Sequence, residues 1–399
     1  MESRELPLHP NLDQYKKQAK DLLKALKDDD QRAIQRIRQF HPHGRELSIP
    51  TLADAQLVLA REHSFTSWPT FAKCVRELGH ADSPFAEFEH AADAVINGDA
   101  AVLRGMLRKN PQLVHARSPR EHRSLLLHYV SANGVEDYRQ KTPKNAVEIA
   151  AILLDAGAEV DAVTDAHGKG TALGLTATSI HPVRAGVLIP LLELLLARGA
   201  SVDGAPGGWN PLNACLANGR KLGSEFLADR GAKLDLEGAS GVGRLEIVKS
   251  FFNQDGSLKD NATKTQMESG FIWACEYARA EVADFLLQMG VEKNTYRQFK
   301  LTGLHWAAAS GDVDTVKVLL RHGAPLEAKN VWGGTPLASA IWAATESDPN
   351  DPVWPNADWV PIAELLLEAG ANVHAVEYPT GNSRIDAVLH RHRAKAERR

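Results

Sequence analysis

The sequence predicts an all-α chain, a solenoid of stacked helix pairs behind a small helical N-terminal domain. Three observations predict it. A phrase of leucines, Gly-Ala, an apolar residue and an acid or its substitute recurs along the chain. An alanine-rich segment precedes the strong copies, as HWAAASGD precedes LLRHGAPLEA. Residues 1–80 lack the phrase but carry apolar positions at helical spacing.

The N-terminal residues read as four helices. NLDQYKKQAKDLLKAL puts Leu12, Tyr15, Ala19, Leu22 and Leu26 at alternating steps of three and four, one face of a helix. Asp28–Asp30 interrupts it, and QRAIQRIRQF predicts a second helix with Ala33, Ile37 and Phe40 inward. Thr51 with Asp54 opens a third as a capping pair, and PTFAKCVREL (69–78) makes the fourth. Two roles are open for these residues: covering the apolar end of the stack, or recruiting a partner separately.

The phrase appears as LLDAGAEVDA (153–162), LLARGASVDG (195–204), LADRGAKLDL (227–236), LLRHGAPLEA (319–328) and LLEAGANVHA (366–375). Weaker copies lie at 106–116, 253–261 and 286–294. Aligned on the last polar position, the markers are His115, Asp161, Asp203, Asp235, Lys259, Asn294, Glu327 and His374. The steps between them are 46, 42, 32, 24, 35, 33 and 47, so one copy is truncated and several are stretched.

Each unit has one internal logic. HWAAASGD forms a first helix; a second follows in DVDTVKVLLRHG, with Val313, Val316, Val318, Leu319 and Leu320 supplying an apolar face. Gly323 sits at its C-terminal cap, where a left-handed backbone suits glycine. Small alanines let neighbouring pairs approach closely. No unit buries its apolar face alone, so stacking is required.

TGLHWAAASGDVDTVKVLLRHGAPLEAKNVWGGTPL (302–337) resembles the ankyrin repeat, with GTPLASA (334–340), WNPLNACLANG (209–219) and LLLHYVSANG (125–134) as looser copies. The resemblance covers residues 86–378 as about eight units, weakest at 239–262, and leaves 379–399 as a closing helix and basic tail. It implies that His305, with Thr302, hydrogen-bonds backbone where helix meets finger, and that His128 does the same. LADAQLVLAREHSFTSWPTF (52–71) resembles a helical module found ahead of ankyrin repeats in many bacterial proteins, which implies a bacterial origin.

Units differ where segments are inserted between their helices: 134–145, 179–187 and 344–359. These carry Tyr138, Arg139, His181, Arg184, Trp354 and Trp359. They read either as tolerated surface loops or as contact elements along one edge. Aromatic residues gather on first helices and fingers: Tyr129, Trp209, Trp273, Tyr277, Trp306, Trp332 and Trp342. Such rings anchor binding surfaces or fill space between helices. HARSPREHRS (115–124) brings Arg117, Arg120 and Arg123 to a finger, where arginine clamps an acidic or phosphorylated group or stays solvated.

Composition narrows the function. The chain has 399 residues, 46 Lys and Arg against 50 Asp and Glu, and a formal net charge of −4, so no global field favours nucleic acid or an anionic membrane. Cys74, Cys215 and Cys275 show no metal or disulfide spacing, which fits a reducing compartment. The start has no signal-like region, and 185–197 is too short to span a bilayer. A nucleophile elbow, a P-loop, a paired-histidine zinc motif and a dinucleotide fingerprint are all missing. His390 and His392 are two apart and do not share a helix face.

The leading expectation is therefore a cytoplasmic, non-catalytic scaffold for an unknown protein or peptide partner, without cofactor, metal, nucleic acid or membrane. Its expected contact residues are Tyr129, Trp209, Asn213, Trp273, Glu276, Tyr277, Trp306, Trp342, Arg120 and Arg123. The alternative is an enzyme, such as a hydrolase of a glycan or small molecule, or a small-molecule binder. Its pocket would lie between groove and inserted loops and use Glu276, Tyr138, His181 and Arg184.

Overall fold

The computed structural model describes residues 3–7, 10–47, 49–80, 83–346 and 357–397. The chain is mostly helical and forms two compact units, Met1–Pro211 and Leu212–Arg399. This division falls inside the repeat run, not at residues 80–86, where the helices on either side pack together.

The first unit opens with α1 (Leu12–Lys27), α2 (Gln31–Phe40), α3 (Leu52–Glu62) and α4 (Trp68–Leu78). Tyr15, Ala19, Leu22 and Leu26 are buried on α1, and Ala33, Ile37 and Phe40 on α2. The predicted capping pair of α3 is a reciprocal box: Thr51 N–H donates to Asp54 Oδ2 at 2.7 Å, and Asp54 N–H to Thr51 Oγ1 at 3.4 Å.

Three helix pairs follow: α5 (Pro84–Asn97) with α6 (Ala100–Lys109), α7 (Leu126–Tyr129) with α8 (Ala146–Asp155), and α9 (Ala172–Thr178) with α11 (Leu188–Ala197). A short α10 (Ile180–Arg184) fills the inserted segment of the third pair. The first helices α5, α7 and α9 neighbour one another in one layer, and α6, α8 and α11 in another. α4 packs on α5, where Phe65 and Phe85 rings meet at 6.3 Å. Strands β1 (Val163–Thr164) and β2 (Gly170–Thr171) pair antiparallel to form a finger.

The second unit begins within α12 (Pro211–Ala217), which pairs with α13 (Lys221–Asp229). The truncated copy is α14 (Leu236–Gly241) with α15 (Leu245–Ser250), six residues each. Then come α16 (Lys264–Glu276) with α17 (Ala280–Gln288), α18 (Gly303–Ser310) with α19 (Val313–Arg321), and α20 (Pro336–Glu346) with α21 (Val360–Glu368). Here too first helices stack on first helices and second on second. α22 (Ser383–Ala396) closes the stack through Ile385, Val388 and Leu389. One core runs through this unit, joining Leu236, Phe271, Leu304, Leu337, Ile362 and Leu389. A Cβ on Gly303 would sit 2.8 Å from Cys275 Sγ, so α16 and α18 touch where only a hydrogen fits.

The two histidines act as clasps. Thr302 N–H donates to His305 Nδ1 at 3.2 Å, so the ring proton lies on Nε2, which donates to Gly334 O at 3.1 Å. Leu125 N–H likewise donates to His128 Nδ1 at 3.0 Å, and Nε2 donates to Ala162 O at 2.9 Å. Each ring fastens its helix to the next finger. Burial pushes the His128 imidazole down to about 4 and lowers that of His305, so both are neutral.

Candidate functional site

Two places in the molecule have the makings of a site. In the second unit, two neighbouring fingers carry aromatic tips. Phe299 sits in a left-handed turn with φ 60°, which throws its ring outward. Val331 N–H donates to Phe299 O at 2.9 Å, pinning the next finger alongside. Asn330 Oδ1 accepts from Trp332 N–H and Gly334 N–H at 3.0 and 2.9 Å, which shapes that second tip. The Phe299 and Trp332 rings then lie 5.0 Å apart, yet remain 52% and 69% exposed. Val331 and Tyr296, on the same two fingers, are exposed as well. On the first helix α20, Trp342 is 59% exposed.

Several expected anchors are interior, and those expectations are corrected. Trp273 and Tyr277 are buried on α16 and at its end; Arg297 covers the Trp273 ring at 4.9 Å, and Tyr277 OH donates to Leu216 O. Trp306 and Trp209 are half-buried: Trp306 packs on the core, and Trp209 lies against Gly174. Asn213 Nδ2 donates to Asp235 Oδ2 at 2.8 Å, and Asp235 also caps α14, so Asn213 serves the helix-finger junction.

Tyr129 is fully enclosed, and Arg120 is 1% exposed, so neither meets a partner on the surface. Arg123 is exposed beside Asp165, 3.6 Å away. Of the alternative catalytic residues, Glu276 belongs to the second unit and Tyr138, His181 and Arg184 to the first. Burial raises the Glu276 carboxyl to about 7, against the opposing pull of Tyr277 and Arg297. Burial likewise pushes the Tyr138 hydroxyl upward. His181 is half-buried on α10 and Arg184 is exposed. Trp354 lies outside the described residues, and Trp359 donates from Nε1 to Ala309 O at 2.8 Å.

The second place is in the first unit and escaped the sequence. The insertion at 134–145 folds back on α5 and, with the finger at 118–124, builds a buried charge cluster. Arg120 Nη2 donates to Glu89 Oε2 at 2.6 Å, and its Nη1 to His63 O at 2.8 Å. Arg139 Nη1 donates to the same Glu89 oxygen at 2.9 Å, and its Nη2 pairs with Asp93 Oδ1 at 2.7 Å. Glu136 stands 2.5 Å from Arg120 Nε, with Tyr129 OH donating to it at 3.3 Å. Desolvation opposes the Glu136 charge, but the guanidinium groups of Arg120 and Arg139 hold its carboxyl well below the usual range.

Beside this cluster opens a cleft of about 260 Å³ lined by Arg61, Ser64, His122, Glu136, Gln140 and His167. Arg120 and Arg139 carried a signal, Arg120 on an arginine-bearing finger and Arg139 inside an insertion. Their partner Glu89 sits on α5 among residues that read as an ordinary helix.

Among the described residues, no group of three His, Cys, Asp or Glu could hold a metal ion. Nor is any helix there long and apolar enough to cross a membrane.

Comparison with known proteins agrees with the helix pairs. The family model for ankyrin repeats matches residues 271–377 in three copies. Neurogenic locus notch homolog protein 1 of Xenopus laevis, and that of Xenopus tropicalis, are each 28% identical over 173 residues. Those residues are 43% of this chain and 6% of each relative. The ankyrin repeat domain of human ASB11 is 20% identical, with a TM-score of 0.36, over 71% of this chain and 98% of that one. The chain thus carries ankyrin repeats, matched across the end of α16 and α17 to α21.

Proposed function

We propose that the protein is a non-catalytic interaction scaffold that grips a partner protein or peptide at the finger tips and first-helix face of its second unit. The observation that carries this reading is the Phe299–Trp332 pair, two large rings held in contact yet left exposed. Exposed aromatic clusters on a rigid frame are the usual energetic anchors of protein interfaces. The hydrogen bonds that shape both fingers lower the ordering cost of binding. Ankyrin repeats are themselves an interaction architecture, and the repeats matched at 271–377 contain both fingers. Trp342 adds a further exposed ring on α20.

Under this reading the protein is a cytoplasmic bacterial one. Three free, buried cysteines suit a reducing compartment, and α1–α4 cover the first helix pair as an N-terminal cap. Site-specific photo-crosslinking tests the surface. A photoreactive residue at position 332 should trap one partner in cells, and one placed at Leu222 on α13 should not. Equal labelling from both positions would remove the finger tips from the proposal.

A further inference from the structure

The cleft of the first unit contains polar atoms that the fold leaves unmatched. Glu136 Oε2, His122 Nε2 and Arg61 Nε are buried without a hydrogen-bond partner among the described residues, and all three residues line the cleft. Buried polar atoms are mostly hydrogen-bonded in folded chains, so three unmatched ones around a single cleft call for an explanation. Their chemistry is complementary. Glu136 is fully enclosed, and its Oε2 is an anionic acceptor. Ser124 N–H donates to His122 Nδ1 at 3.1 Å, so the ring carries its proton on Nε2, a donor. That donor lies 3.5 Å from Glu136 Oε1, too far for a good bond. Arg61 Nε is a second donor, permanently charged. The space therefore asks for a cationic donor on one side and an anionic acceptor on the other.

We propose that this cleft binds a small zwitterion of free amino-acid size, its ammonium at Glu136 Oε2 and its carboxylate at Arg61 and His122. At about 260 Å³ the cleft falls just below the usual range for ligand pockets, which excludes nucleotides and folded peptides. An uncharged sugar would leave the Arg61 charge without a counter-charge, which is the costlier match in a partly enclosed site. Glu121 and Asp137 add negative charge at the lining, so amino acids with basic side chains bind better than acidic ones. The site lies wholly in the first unit and is independent of the finger tips.

The test is calorimetry and thermal melting of the full chain with each of the twenty protein amino acids, and with glucose and galactose as uncharged probes. At least one amino acid should raise the melting temperature in a concentration-dependent way. Its affinity should fall about tenfold or more in Arg61→Met and in Glu136→Gln. Arg61 makes no ion pair among the described residues, so Arg61→Met should melt like the wild type and decide the matter even if Glu136→Gln misfolds. No response to any amino acid, a response to the sugars alone, or undiminished binding by Arg61→Met would overturn the proposal.

Discussion

Arg120 donates to Glu89 at 2.6 Å with its guanidinium wholly shielded from solvent, so a finger residue is tied into the first repeat helix. The bond joins the finger at 118–124 to α5, and Arg120 also lies over the Phe65 ring at 5.0 Å. Removing Arg120 leaves the buried Glu89 and Glu136 carboxylates to share the single charge of Arg139. Arg120→Met should destabilise the first unit by about 3–5 kcal/mol. Hydrogen exchange of the α5 amides reads this directly. In the Arg120→Met, Glu89→Gln double variant the loss should be smaller than the sum of the singles, because one desolvated charge then no longer faces an empty partner.

Acid should loosen the same unit through its histidines. Burial depresses His63 and His128 from 6.5 to about 4. Both are neutral in the fold, while the unfolded chain takes up protons near pH 6.5. Between about pH 6.5 and 4 the unfolded state therefore binds more protons, and stability present above that window falls as pH drops through it. The limiting loss is about 3 kcal/mol for each ring. Urea titrations at pH 7.5, 6 and 4.5 measure it. His128→Asn should lower stability at neutral pH and flatten the dependence.

The stacking of first helices depends on small residues. A side chain at Gly303 meets Cys275 Sγ at 2.8 Å and the Phe271 ring at 3.0 Å. Gly303→Val should cost about 1–3 kcal/mol through overpacking, whereas Leu222→Ser on an exposed face should stay within about 0.5 kcal/mol. Thermal unfolding of the two variants separates these effects.

The helix pairs were legible because their signals are local. The Leu-Leu…Gly-Ala phrase sets the second helix and its glycine cap within a dozen residues, and His305 bonds to a residue three positions away. The partners of Arg120 were not legible. HARSPREHRS offers its arginines either as clamps for an acidic group or as solvated residues, and the acids that draw Arg120 inward come from α5 and from the insertion. Aromatic residues divided for the same reason. Trp273 follows the α16 helix into the core, while Trp332 sits on a turn whose exposure depends on how Asn330 folds it. Phe299 carries no local signal, because a lone ring between Arg297 and Lys300 gives no period. The cleft is a product of distant segments meeting, which no local pattern announces.

Affinity capture from the source organism tests the interaction surface most directly. Wild type should be compared with Phe299→Ser, Trp332→Ser and with a control, Leu222→Ser, Ile247→Ser, all matched by circular dichroism. Loss of the captured partner by about tenfold or more in the finger-tip variant, with full recovery by the control, is the predicted result. Equal recovery of the same partner by the folded finger-tip variant and the wild type would contradict it.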